Sequence, residues 1–98
     1  QHIPEGYVST YAQFSKILKD KNQRDKIQKS LSNGGIPSVI YYAVSGHMQQ
    51  GYKYLNYKRG DFPISETYYN NAISLPLFSQ LSFEEQDKVV NTLSKALK

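Results

Sequence analysis

The stretch GIPSVIYYAVSGHMQQGY, residues 35–52, places a β-rich run directly before a histidine. β-Branched and aromatic side chains dominate residues 36–44, and such near-continuous apolar character is typical of a strand buried on both faces. A proline near the start of the run is compatible with the first positions of a strand. The stretch therefore predicts a central strand over residues 36–44, which carries Tyr41 and Tyr42 and delivers His47 into the loop that follows.

The residues before this strand predict a further strand and a helix. Aromatic and β-branched side chains recur over residues 7–15, which favours an extended segment, and the more polar residues 16–21 indicate a loop. Asn22 can cap a helix over residues 23–33, and the glycine pair at residues 34–35 can end it.

The residues after the central strand predict a loop and a second helix. We expect residues 46–58 to form a loop with a short helical turn, and the Gly-Asp-Phe-Pro segment at residues 60–63 to lead into a helix. Asp61 can cap this helix, and Pro63 lies where a missing backbone N–H costs nothing. Three of its apolar side chains share one face: Ile64, Tyr68 and Ala72. Residues 75–78 are apolar and predicted to be extended.

The clearest helix signal lies at the C-terminal end of the sequence. Ser82 and Glu85 have the spacing of a capping box, which predicts a helix over residues 83–97. An apolar stripe follows at helical spacing, formed by Val89, Val90, Leu93, Ala96 and Leu97. The complete order of elements predicts an α+β domain, with a small antiparallel sheet of about three strands and helices packed mainly on one face.

Length and composition indicate a single folded domain over residues 1–98. The chain is 39% hydrophobic and 20% charged, which excludes disorder by composition, and no apolar run is long enough for a membrane span. It has no cysteine and two histidines, so disulfides and thiolate chemistry are excluded and we expect no metal site. These features favour a cytoplasmic protein.

Basic residues are concentrated in one segment. Six of the twelve lie between Lys16 and Lys29, and the formal net charge of the chain is +4. Such a cluster can bind phosphate or nucleic acid, or it can be the solvated face of a loop and a helix. Because Asp20 and Asp25 interrupt the run and no base-reading motif accompanies it, we expect no nucleic-acid partner.

No self-sufficient catalytic site is visible in the sequence, which has neither a nucleophile elbow nor a glycine-rich phosphate loop. Asp61 and Glu66 could pair as acid and base, although helix capping accounts for both at least as well. The candidate binding groups are instead Tyr41, Tyr42, His47 and Tyr52, whose hydroxyl and imidazole groups suit an anionic or sugar-like ligand. The alternative is that the tyrosines only pack in the core and at edges, with His47 as an ordinary loop residue.

Five segments in a fixed order give the chain a family resemblance. They are Gly35-Ile36-Pro37, Tyr41-Tyr42, His47 with Gln49, Gly60 to Pro63 with Glu66, and Ser74-Leu75-Pro76 followed by Phe83-Glu84-Glu85-Gln86. Over roughly residues 7–97 the chain resembles the C-terminal part of the DegT/DnrJ/StrS family of pyridoxal-phosphate-dependent sugar-nucleotide aminotransferases. Many relatives have proline after the tyrosine pair and Pro-Leu before the histidine. This chain has Ala43 and Ser45-Gly46 there, so its histidine loop is expected to be less rigid.

The resemblance implies that the chain is a fragment, the small C-terminal domain of a fold-type-I aminotransferase. The family's large N-terminal domain carries the cofactor lysine, the aspartate that faces the pyridine nitrogen and the phosphate-binding groups. It follows that this chain holds no catalytic, cofactor-binding or metal-binding residue and should be inactive alone. The first residue, Gln1, and the single methionine, Met48, agree with a fragment.

The whole enzyme implied by the resemblance binds pyridoxal phosphate and is expected to be a homodimer. It would transfer an amino group from a donor, expected to be glutamate, to a keto-sugar nucleotide in polysaccharide or amino-sugar biosynthesis. This domain would pack against the large domain and help to form the substrate site through Tyr41, Tyr42, His47 and Tyr52. The fragment should then expose an apolar patch and tend to self-associate.

Two other functions fit the sequence without the resemblance. One is a stand-alone basic binding module for nucleotides or a protein partner, in which exposed tyrosines stack on bases. The other is an interaction domain without a ligand.

Overall fold

A computed structural model describes residues 2–98 of the chain. Over this range the elements follow in this order: strand β1 at Phe14–Ile17, helix α1 at Lys21–Asn33, two 3₁₀ helices at Gly46–Met48 and Gln50–Leu55, helix α2 at Pro63–Asn71, strand β2 at Ala72–Leu75, and helix α3 at Phe83–Leu97. The predicted α+β class is confirmed, with a smaller sheet than expected.

Strand β2 is the central element of the sheet. It pairs with β1 in antiparallel orientation, with Ser15 opposite Ser74. On its other edge, the Val39 N–H donates to the Ser74 carbonyl at 3.1 Å, and the Ser74 N–H donates to the Val39 carbonyl at 2.7 Å. Both backbone groups of Ser74 therefore face Val39, which leaves Ser15 and Ser74 as a close, non-hydrogen-bonded backbone pair whose hydroxyl oxygens are 2.7 Å apart.

The core joins α1, α3 and β2. Its buried residues are Leu18, Ile27, Leu31, Ile36, Ile73, Val89 and Ala96, with Leu75 and Leu93 packed against them. Ile27 and Leu31 are four residues apart and so share the buried face of α1. Helix α1 packs against α2, α3 and β2, and it therefore connects the two halves of the chain.

The C-terminal end of α1 sets the direction of the chain that leads to the histidine loop. Gly35 has φ +69°, a left-handed conformation that favours glycine. The Gly35 N–H donates to the Ser32 carbonyl at 3.0 Å, and the Ile36 N–H donates to the Leu31 carbonyl at 2.9 Å. This is a Schellman motif, and its usual hydrophobic contact corresponds to Leu31 and Ile36, both in the core.

The predicted central strand over residues 36–44 is wrong. Only Val39 pairs with a strand, and residues 41–44 form turns and bends. Apolar composition does not by itself supply a hydrogen-bonding neighbour, and β2 offers its free edge to this segment at Ser74 alone. Tyr42, expected inside the strand, is 70% exposed.

Two predicted extended segments are displaced along the chain. Within residues 7–15 only Phe14 and Ser15 belong to a strand, and β1 continues to Ile17 through residues predicted to form a loop. Strand β2 covers Ala72–Leu75 rather than residues 75–78, because Pro76 has no N–H to continue the ladder.

Two predicted caps are also corrected. Helix α1 is capped by Asp20, whose carboxylate accepts from the Gln23 N–H at 2.8 Å, and not by Asn22. Helix α2 has Phe62 at its N-cap, and Asp61 instead accepts from the Lys58 N–H at 2.7 Å. Pro63 does occupy the first turn, as predicted. Asn22 and Asp61 are both residue types that favour an N-cap, and the path of the preceding loop decides between neighbouring positions.

Helix α3 and its capping box are confirmed. The Glu85 N–H donates to the Ser82 hydroxyl at 3.2 Å, and the Ser82 N–H donates to the Glu85 carboxylate at 2.9 Å. Of the predicted stripe, Val89 and Ala96 are buried, whereas Val90 and Leu97 are exposed.

The chain has more surface than a complete domain of its size. It exposes 7671 Å², whereas a folded monomeric protein of this mass exposes about 5,700 Å². Its radius of gyration is 15.7 Å, against about 13 Å for a compact domain of this length. Large apolar side chains are exposed, among them Val8, Tyr54, Ile64 and Phe83. A contiguous apolar patch and self-association stay predictions.

Candidate functional site

The candidate site is an open aromatic cavity of about 360 Å³ between the 3₁₀ helices and the start of α2. Its lining residues are Gly46, His47, Tyr52, Leu55, Tyr57, Phe62 and Ser65. Local sequence explains why these side chains meet. The two 3₁₀ helices are short and consecutive, and the turn before Pro63 brings Phe62 back beside them. We call this the aromatic cavity.

Three rings that line the aromatic cavity contact one another in a row, with Phe62 in the middle. The centroids of the His47 and Phe62 rings are 4.8 Å apart, and those of Tyr57 and Phe62 are 5.0 Å apart with an edge-to-face angle of 79°. Such contacts favour a fixed arrangement of the rings. The aromatic cavity therefore has a largely apolar lining of fixed rings, to which two tyrosines also contribute.

Both nitrogens of His47 have partners inside the protein. Nε2 lies 3.1 Å from Oε1 of Glu66, and Nδ1 lies 3.0 Å from Oγ of Ser45. Because a carboxylate only accepts, Nε2 carries a proton and donates it to Glu66. The His47 side chain is 6% exposed. It therefore presents a ring face, and not a free nitrogen, to the aromatic cavity.

Glu66 accepts a second hydrogen bond through the same oxygen. The backbone N–H of Gly60 donates to Oε1 at 2.7 Å. This backbone donor, together with His47, holds the pKa of Glu66 below its ordinary value, although partial burial opposes the shift. Glu66 is therefore ionised at neutral pH, and it ties the turn before α2 to the histidine.

Two serines extend the network away from Glu66. The hydroxyl oxygens of Ser45 and Ser65 are 2.6 Å apart, and Ser45 is buried. The order serine, histidine, glutamate is found in hydrolytic triads. Here, however, Ser45 is enclosed and hydrogen-bonded to Ser65, so its oxygen is not presented to a substrate. The network fixes the loop and carries no nucleophile.

A second, more polar cavity of about 430 Å³ adjoins the aromatic cavity. The two share His47 and Tyr57, and the second adds Met48, Gln49, Gln50 and Lys53. We call it the polar cavity. Its amide groups and its one lysine can contact an anion, which the aromatic cavity cannot do as readily.

The comparisons with known proteins agree with this architecture. The sequence profile of the DegT/DnrJ/EryC1/StrS aminotransferase family matches residues 2–94. The chain belongs to this family. A crystal structure of a DegT DnrJ EryC1 StrS aminotransferase from Brucella abortus superposes with a TM-score of 0.82 at 35% identity, covering 96% of this chain and 24% of that one.

Two curated proteins of similar sequence extend the comparison. A pleiotropic regulatory protein from Geobacillus stearothermophilus is 36% identical over 92 residues, which is 94% of this chain and 25% of that protein. A UDP-N-acetyl-3-dehydro-alpha-D-glucosamine 3-aminotransferase from Acidithiobacillus ferrooxidans is 30% identical over 94 residues, which is 96% of this chain and 24% of that protein. The chain thus spans about a quarter of the length of the relatives it matches.

The fold of this chain brings together only two of the four predicted binding residues. His47 and Tyr52 both line the aromatic cavity. Tyr41 instead lines a different cavity of about 240 Å³ beside Pro37 and Phe78. The rings of Tyr41 and Tyr42 contact each other edge-on, with centroids 5.7 Å apart.

Sequence reasoning missed Tyr57, Phe62 and Ser65 as lining residues, and it missed the partnership of Glu66 with His47. One feature of the sequence indicates a role for Glu66. In the pattern on which the family resemblance rests, a glutamate follows the Gly-Asp-Phe-Pro segment downstream of the histidine. No local periodicity links residues 19 positions apart.

The basic cluster between Lys16 and Lys29 is partly neutralised. Arg24 is buried, and its guanidinium donates to the Asp25 carboxylate and to the Tyr69 carbonyl. Lys21 also donates to Asp25, at 2.7 Å. Two of the six cations therefore have structural partners, which favours the solvated-face reading over a phosphate-binding patch.

Neither a metal site nor a membrane span is found within residues 2–98. In that range no three His, Cys, Asp or Glu side chains are grouped so that they could hold a metal ion. None of the helices in the same range has the length and apolar character needed to cross a membrane.

Proposed function

We propose that the chain is the C-terminal small domain of a pyridoxal-phosphate-dependent sugar-nucleotide aminotransferase. Support comes from the family match over residues 2–94 and from the quarter of each relative's length that the chain spans. The excess surface of about 2,000 Å² is of the size that a large domain would cover. The large N-terminal domain of the same protein is the main partner, in a homodimeric cytoplasmic enzyme.

The residues present do not fit the cofactor's attachment. Every lysine within residues 2–98 is exposed, whereas a covalently attached cofactor needs a lysine enclosed in the active site. We assign the cofactor, which in such enzymes serves as the electron sink for amino transfer, to the large domain. The chain should be inactive alone, and its own contribution is to bind and orient the substrate.

The aromatic and polar cavities suggest how the substrate lies. We assign a ring of the sugar nucleotide to the aromatic cavity, against Tyr52 and Tyr57, because aromatic side chains provide apolar faces on which rings can pack. We assign the diphosphate to the polar cavity, where Lys53 supplies a positive charge. The single observation that carries this assignment is that the two cavities meet at Tyr57 and His47.

The test uses the full-length protein that contains this chain. It should transfer an amino group from glutamate to a UDP- or dTDP-linked keto-sugar, and it should bind UDP in calorimetry. Replacing Lys53 with methionine should weaken UDP binding by roughly tenfold or more, as expected for a lost charged hydrogen bond. The control is Lys26→Met, because Lys26 is exposed on α1 and borders neither cavity.

Other results would point elsewhere. If the 98-residue chain bound UDP as tightly as the full-length protein, a stand-alone binding module would be the better description. If the full-length protein transferred no amino group to any keto-sugar nucleotide, the proposed activity would be rejected. If the two lysine substitutions weakened UDP binding equally, the assignment of the diphosphate to the polar cavity would be rejected.

A further inference from the structure

His47 is enclosed by partners on every polar atom of its side chain. Nε2 donates to Glu66, and Nδ1 lies within hydrogen-bond distance of Ser45. A ligand that took a hydrogen bond from either nitrogen would have to break one of these contacts. The side chain is also almost entirely buried. A direct donor role for His47, which its position in the sequence suggested, is therefore not supported by the geometry.

The Glu66 carboxylate joins the histidine loop, which is nineteen residues away, to the turn before α2 and to α2 itself. His47 lies in the first 3₁₀ helix, Gly60 in the turn before α2, and Glu66 in the first turns of α2. A single oxygen of Glu66 accepts from both of the others. This oxygen therefore fixes the distance between the histidine loop and α2, which are the two sides of the aromatic cavity.

The His47–Glu66 pair also fixes the position of the Phe62 ring. Phe62 lies between the His47 and Tyr57 rings, next to the first turn of α2. Rotation of the His47 ring would remove the surface on which Phe62 packs, and Tyr57 contacts Phe62 in turn. The orientation of Tyr57 thus depends on a hydrogen bond that Tyr57 does not make.

We propose that His47 and Glu66 are positioning residues: they hold Phe62 and Tyr57 in place, and the tyrosines, not His47, contact the ligand. The identity of that ligand rests on the function proposed above. Tyr52 and Tyr57 are half-exposed, with hydroxyls able both to donate and to accept. Both tyrosines line the aromatic cavity, so a ligand there can reach their hydroxyls.

The test separates geometry from charge at Glu66 in the full-length protein. Glu66→Ala removes the acceptor for both hydrogen bonds, and should weaken UDP binding by roughly tenfold to a hundredfold, as misplaced site residues do. Glu66→Gln keeps an oxygen that can accept from His47 and Gly60, and should recover most of the affinity lost in Glu66→Ala. Glu84→Ala and Glu84→Gln are matched controls, because Glu84 is exposed in the first turn of α3.

A double-variant cycle tests the role of His47. If His47 acts only by positioning, His47→Ala and Glu66→Ala break the same contact, and the double variant should bind UDP no more weakly than the worse single variant. If the two residues act independently of each other, the losses should add. Additive losses, or a Glu66→Gln variant as weak as Glu66→Ala, would overturn the proposal.

A second measurement keeps the two proposals apart. Crystal structures of the full-length Glu66→Ala and Glu66→Gln variants, without nucleotide, should show displaced His47 and Phe62 rings in the first and unmoved rings in the second. Unmoved rings in Glu66→Ala would overturn the positioning role, whatever the protein binds. Failure of the wild-type protein to bind either UDP or dTDP, with the rings displaced as expected in Glu66→Ala, would reject only the proposed nucleotide ligand.

Discussion

Replacing Gly35 with alanine tests the turn that directs the chain from α1 to the site. Gly35 has φ +69°, and a Cβ added there would meet no atom within 4 Å. The cost is therefore one of backbone conformation alone, about 1–2 kcal/mol for an L-residue in the left-handed region. The less flexible unfolded chain offsets this by about 0.4–1 kcal/mol. A net loss of about 1 kcal/mol is expected.

Gly34→Ala is the matched control one residue earlier. Gly34 has φ −81°, which alanine adopts without strain, and its added Cβ would lie 3.3 Å from the Leu31 carbonyl oxygen. The entropic gain and this mild crowding should nearly cancel, so we expect a change within about 0.5 kcal/mol. The two variants carry the same substitution at neighbouring positions, and they differ mainly in the backbone conformation that the alanine must adopt.

Urea denaturation of the 98-residue chain, followed by circular dichroism, measures the difference. The midpoint should fall for Gly35→Ala with an unchanged slope, and the melting temperature should fall by about 4–8 °C. Gly35→Asn should lose less than Gly35→Ala, because asparagine tolerates the left-handed region better. If Gly34→Ala were the more damaging variant, the Schellman motif would not be what fixes this turn.

Two further predictions concern stability. Backbone N–H donors hold the pKa of Glu66 and of Glu85 below the ordinary value of 4.5. The stability that these two carboxylates contribute is therefore fully present above that pH and is lost as the pH falls through the lowered values. The urea midpoint should decrease once the pH is below about 4.5, and a flat profile from pH 7 to pH 3 would contradict this. Ile73→Ala should lower the free energy of unfolding by about 2–5 kcal/mol because Ile73 is fully buried. The control Ile64→Ala, at a position 76% exposed, should change it by less than about 0.5 kcal/mol. Equal losses in the two variants would show that Ile73 does not lie in the core.

The parts of the fold that sequence predicted well are those whose signals are local. The capping box of Ser82 and Glu85 places the start of α3 at Phe83, and the glycine pair places the end of α1 at Asn33. In both cases the hydrogen bonds close within a few residues, so the sequence contains donor and acceptor together.

The predicted strand over residues 36–44 failed because a strand is defined by a neighbour. Its β-branched and aromatic residues express a preference that packing can override. The neighbour available to it, β2, already pairs with β1 on one edge and meets Val39 alone on the other. Tyr41 and Tyr42 consequently leave the sheet, and the site predicted from them divides into two places.

The site could be predicted only as far as its residue types. His47 and Tyr52 were found because an aromatic-rich loop after an apolar run is a common position for binding groups. The sequence held no indication that both nitrogens of His47 are occupied, because Ser45 is two residues away and Glu66 is nineteen. For that reason we propose a positioning role for His47 in place of the donor role that the sequence suggests.

The open aromatic cavity and the excess surface have one explanation under the proposed function. A self-sufficient binding site encloses most of its ligand, yet the aromatic cavity is open and the tyrosines on it are half-exposed. A chain that spans a quarter of its relatives' length leaves the opposite side of such a site to the remaining three quarters. The His47–Glu66 pair then has a clear physical purpose. It keeps one side of the site rigid before the other is added, so that little conformational entropy is lost when the substrate binds between them.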